Sequence, residues 1–142
     1  MLTYLRMACP WFYPLERIAD PATARPPGPL GDSWSGLCQA APGGWTPDSD
    51  TARRLCNFGY ARERCQRIPG GGADAVRFCV ARDEDGVIRL QWVMEKDHLP
   101  FAHGALDYSR AVGGFDAPHE DARVARQAES YVSSYLHAKG ES

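Results

Sequence analysis

Apolar positions divide the chain near residue 74. Beyond that point they recur at every second residue: Val76, Phe78 and Val80 alternate with Arg77 and Cys79, and Ile88, Leu90, Trp92 and Met94 alternate with Arg89, Gln91 and Glu95. Asp83-Glu84-Asp85-Gly86 lies between the two runs as a turn signal, so the pattern predicts a β-hairpin. A third short strand over residues 105–109, after the His98-Leu99-Pro100 loop, extends the hairpin into an antiparallel meander. Over residues 117–139 the period lengthens to that of a helix, with Val124, Ala128, Tyr131, Val132 and Tyr135 on one side. Pro118 stands near its first position and Gly140 beyond its end.

Residues 1–73 show no such regularity. Between Asp20 and Asp50 there are six prolines and five glycines, a density that excludes long helices and central strands. The same stretch carries Leu30, Trp34, Leu37 and Trp45, so it is not a polar linker. An irregular segment of about 30 residues inside a compact domain calls for an external staple such as a metal centre or a crosslink. Thr46-Pro47, with Asp48 and Asp50 in the first turn and Gly59 as a stop, predicts a short helix over residues 47–58. A second helical turn is expected over residues 60–67, before Pro69-Gly70-Gly71-Gly72. The expected fold class is α+β, in a single domain spanning residues 1–142. Its first half, residues 1–73, is cysteine-bearing and irregular, with short helices around a metal centre. Residues 74–142 add the hairpin or meander and a C-terminal amphipathic helix.

Composition adjusts this picture only at one point. With 142 residues, 44% of them apolar and 24% charged, the chain matches one globular domain, and a net charge of −2 disfavours wholesale binding to nucleic acid or anionic lipid. No window of 18 apolar residues exists, so no membrane-spanning helix is expected. The first residues, broken by Arg6 and Pro10, do not form a signal-peptide pattern, and although Met7-Ala8-Cys9 resembles the end of a lipoprotein cleavage site, no hydrophobic segment precedes it. A cytoplasmic location, with reduced thiols, is the expectation. The exceptional number is five cysteines. Being odd, it rules out a complete internal disulfide framework.

The cysteines fall at Cys9, Cys38, Cys56, Cys65 and Cys79, spaced C-x28-C-x17-C-x8-C-x13-C. Structural zinc sites usually include a tight C-x2-4-C knuckle, whereas a larger iron–sulfur cluster can be gripped by thiolates from separated loops. The spacing therefore disfavours zinc more than a cluster and is diagnostic of neither. Cys9, Cys38, Cys56 and Cys65 all stand in loops or at element ends beside glycine, proline and aromatic residues, which shield a cluster and let backbone N–H groups approach its sulfur. Cys79 lies mid-strand on the face opposite Val76, Phe78 and Val80, outside this set. Arg53, Arg54, Arg62, Arg64 and Arg67 surround Cys56 and Cys65 against Glu63 alone, a local charge of +4. They compensate an anionic cluster, form a solvated basic face or contact phosphate.

The runs Cys9-Pro10-Trp11-Phe12-Tyr13-Pro14, Pro29-Leu30-Gly31-Asp32-Ser33-Trp34 with Gly36-Leu37-Cys38, and Cys56-Asn57-Phe58-Gly59-Tyr60-Ala61 with Cys65 resemble a small family of bacterial proteins of uncharacterised function. The likeness extends into Asp97-His98-Leu99-Pro100 and residues 131–136. It implies that Cys9, Cys38, Cys56 and Cys65 belong together as a motif, and it implies no activity.

Elsewhere the bland reading is the stronger one. His98 and His103, with Glu95 and Asp97 nearby, could form a metal or acid–base site, but histidines between strands more often cap backbone groups or pack on aromatics. His119 and His137, near the ends of the last helix, are expected at the surface. The four tryptophans are expected in the core. Pro69-Gly70-Gly71-Gly72 lacks the Lys-Ser/Thr of a phosphate loop. The leading expectation is a [4Fe–4S] protein held by Cys9, Cys38, Cys56 and Cys65, an electron carrier or accessory partner of a larger oxidoreductase rather than an enzyme. The alternatives are a non-catalytic interaction module whose same cysteines bind zinc, a thiol–disulfide protein, against which the absence of C-x-x-C counts, and a plain fold with buried free cysteines.

Overall fold

A computed structural model of the chain describes residues 9–17, 30, 34–39, 45–47, 75–96 and 99–140. The alternating half folds as the meander its pattern predicts. Strands β3 (Ala75–Glu84), β4 (Val87–Lys96), β5 (Leu99–Ser109) and β6 (Gly114–Phe115) form an antiparallel sheet in the order β3-β4-β5-β6. The β3–β4 turn is shorter than its four-residue signal. Glu84 pairs with Val87, and Asp85 and Gly86 take positive φ of 57° and 76°, the geometry that lets two residues follow the strand twist. The third strand is longer than expected, because Met94 and Glu95 absorb a bulge and β5 pairs with β4 along almost its whole length. Gly104 faces Trp92: a Cβ there would stand 2.9 Å from the indole, so the ring lies directly on the β5 backbone.

The helix, α1 (Ala122–Ala138), starts five residues later than its apolar period suggests. Asp121 is its N-cap, accepting from the N–H groups of Arg123 and Val124 at 2.9 and 3.5 Å, while Pro118 stays in the approach segment. Burial pushes the Asp121 carboxyl up, but the guanidinium and backbone N–H of Arg123 outweigh it and hold the group below its ordinary range. Val124, Ala128, Val132 and Leu136 join Val76, Phe78, Ile88, Leu90 and Leu106 in one core, with Tyr131 5.8 Å from Phe78.

The N-terminal half is not wholly irregular. β1 (Phe12–Arg17) and β2 (Trp34–Cys38) form a two-stranded antiparallel ladder despite Pro14 and Gly36. Ladder parity explains the proline. Gln39 N–H donates to Trp11 O, which makes Phe12–Cys38 a non-hydrogen-bonded pair, and two residues further along Pro14–Gly36 is another. The nitrogen of Pro14 therefore lies on the outer edge, where no ladder bond is forfeited. Gly36 allows the two backbones to approach beside the Pro14/Glu16 bulge. The helices expected over residues 47–58 and 60–67 lie outside the described residues.

At the far end of the molecule Asp83 ties the hairpin to the helix. Arg110 holds it in a two-point contact at 2.6 and 3.2 Å, Tyr135 donates its hydroxyl at 2.6 Å, and Lys139 its ammonium at 3.1 Å. These donors, Arg110 first, hold the Asp83 carboxyl well below the usual carboxylate range, and the same carboxylate raises Tyr135 and Lys139. A lowered acid stabilises the fold above its unfolded value, near pH 4, and loses that contribution as pH falls through the folded value. A raised phenol contributes below about pH 10 and loses its contribution as it ionises. Thermal unfolding of the wild type should therefore fall more steeply than that of Asp83→Asn between about pH 5 and pH 2. Parallel acid limbs would show that the clasp adds nothing.

Candidate metal centre

Cys9-Pro10-Trp11-Phe12 forms a turn closed by the Phe12 N–H on Cys9 O at 3.1 Å, and β1 continues directly from it. Cys38 is opposite Phe12, so the two side chains share the face of the ladder that enters the core. The backbone groups of Cys38 turn the other way and exchange bonds with Trp45 at 2.6 and 2.9 Å. Cys38 thereby sits between two partners with its N–H and C=O both engaged. Residues 29 positions apart in the chain thus lie near one end of the ladder. One turn plus one ladder step puts their Cα atoms within about 12 Å of each other. Cys9 is 4% and Cys38 6% exposed, and both are thiols.

The helix holds this turn in place. Phe12 O and Pro14 O lie on the outer edge of β1, and helix side chains take both. Gln127, fully buried, donates its Nε2 hydrogens to Cys9 O and Phe12 O, each at 2.7 Å. Arg126 donates to Pro14 O at 2.6 Å and Leu15 O at 3.0 Å. Arg123, one turn before Gln127, lies over the Trp11 ring at 4.2 Å while contacting Asp121 at 3.3 Å. Further along, Ser133 accepts from Arg17 at 3.0 Å and Ser134 from the Trp34 indole at 3.3 Å. The helix thus carries two stripes, an apolar one on the meander and a polar one that covers the edge of β1.

Two polar atoms in this clamp are buried without a partner: the Trp11 indole Nε1, a donor, and Gln127 Oε1, an acceptor. Buried groups of this kind ordinarily find a protein or solvent partner, and among the described residues neither has one.

Of the expected ligands, Cys9 and Cys38 lie near the same end of the β1–β2 ladder, while Cys56 and Cys65, with the arginines around them, lie outside the described residues. Among the described residues no three His, Cys, Asp or Glu side chains converge. Cys79 is exposed on the outer face of the sheet, away from the other two, as the strand alternation implies. His103 is exposed opposite Val93, and Glu95 is buried 4.0 Å from Arg77; His98 and Asp97 lie outside the described residues. His137 is exposed, while His119 is half-buried: its Nδ1 accepts from Asp121 N–H at 2.9 Å, and its ring meets Trp92 edge-on at 4.5 Å. Trp34 belongs to the core and Trp11 and Trp92 pack against it.

A cleft of about 680 Å³ opens beside β1, lined by Arg17, Trp34, Tyr108, Glu129, Ser133 and His137 among others. Its charged groups bond within the protein, Arg17 to Ser133 and Arg126 to Glu129 at 3.3 Å, which makes it a seam between the elements. Sequence reasoning missed Trp11, Arg123 and Gln127 as parts of the packing around the Cys9 turn. Their signal is a polar stripe three and four residues apart beside the apolar one. Compared with models of known protein families, with curated proteins and with solved structures, the chain finds no match.

Proposed function

We propose that Cys9 and Cys38, together with Cys56 and Cys65, hold a [4Fe–4S] cluster, and that the protein serves as an electron carrier or as an accessory partner of a larger oxidoreductase. The observation that supports this reading most is that Cys9, in the turn before β1, and Cys38, the last residue of β2, are both buried thiols near the same end of the β1–β2 ladder. The fit to an anionic metal–sulfur group rests on the donor set. Two thiols would supply ligands, a buried indole N–H has no acceptor among the described residues, and the Arg123 guanidinium stands over the same indole. Such a cluster supplies reversible one-electron transfer when bound. The chain's own part is to bury the ligands, keep water from them and fix the Cys9 turn through Gln127.

Anaerobically purified protein is expected to be brown and to contain about four irons and four sulfides per chain. A single zinc per chain, without visible absorption, would replace the cluster with the zinc module that the same cysteines permit. Folded protein free of both metals would end either reading.

A further inference from the structure

We draw no further inference here: the strongest candidate, the cleft between β1, β5 and α1 that Arg17, Trp34, Tyr108 and Arg126 help to line, carries nothing, because its guanidinium groups are engaged within the chain, Arg17 with Ser133 and Arg126 with Pro14 O, Leu15 O and Glu129, and no group on its walls points to one class of ligand.

Discussion

Gln127→Leu should lower the unfolding free energy by about 2–4 kcal/mol, although leucine fills nearly the same volume. The residue is fully buried, and its amide nitrogen satisfies two backbone carbonyls, Cys9 O and Phe12 O, at 2.7 Å each. Removing the donors leaves both acceptors buried and unpaired, at about 1–3 kcal/mol each. Loss of the already unpartnered Oε1 returns part of that cost, which places the net below the simple sum. Chemical denaturation measures the difference. A loss under about 0.5 kcal/mol would show that the clamp on β1 is not held by this side chain. The same variant should expose Cys9, since its turn is fixed through Gln127, and a faster reaction of Cys9 with a thiol reagent is the accompanying result.

Gly36→Ala is the second large effect, and here the sign discriminates. In an unstrained strand, alanine in place of glycine gains about 0.5–1 kcal/mol by limiting the unfolded chain. At position 36 a Cβ would stand 2.8 Å from Pro14 Cα and closer still to Tyr13 O. Both obstacles are backbone atoms and cannot rotate aside, so the ladder itself must move. Overpacking of this kind costs about 1–3 kcal/mol, and a main-chain obstruction belongs at the upper end. The register that sets Cys38 opposite Phe12 is also disturbed. Thermal unfolding should show a lower midpoint for the variant; a higher one would mean that the strands do not approach as closely as described.

The two positions show how far the sequence carries the fold. The meander was legible because Val76, Phe78 and Val80, and Ile88, Leu90 and Trp92, obey a period of two with a polar outer face. The helix was legible from Val124, Ala128 and Val132, but its start was not, since Pro118 imitates a first helical residue while Asp121 provides the actual cap. The β1–β2 ladder was hidden. Pro14 and Gly36 are strand-weakening residues in general, and only the parity of the ladder and the close approach at the bulge make them fit. Hidden with it was the polar stripe of Gln127, Ser130 and Ser134. Buried polar residues at helical spacing look like a solvent face until their partners are known. Gln127 satisfies carbonyls beside and within β1, Ser130 donates to Arg126 O in its own helix, and Ser134 accepts from the Trp34 indole. For the candidate centre, the sequence separated Cys79 from Cys9 and Cys38 by strand alternation and loop context, and the structure places it on the opposite side of the sheet from the core.

The central claim is that Cys9 and Cys38 are two ligands of one metal–sulfur group and that Cys79 is not. Iron and sulfide content of anaerobically prepared protein, measured in parallel for the wild type, Cys9→Ala, Cys38→Ala and Cys79→Ala, tests it most directly. The account predicts about four irons and four sulfides per chain in the wild type and in Cys79→Ala, with both lost from Cys9→Ala and Cys38→Ala. Equal metal content in all four proteins, or none in any of them, would contradict it.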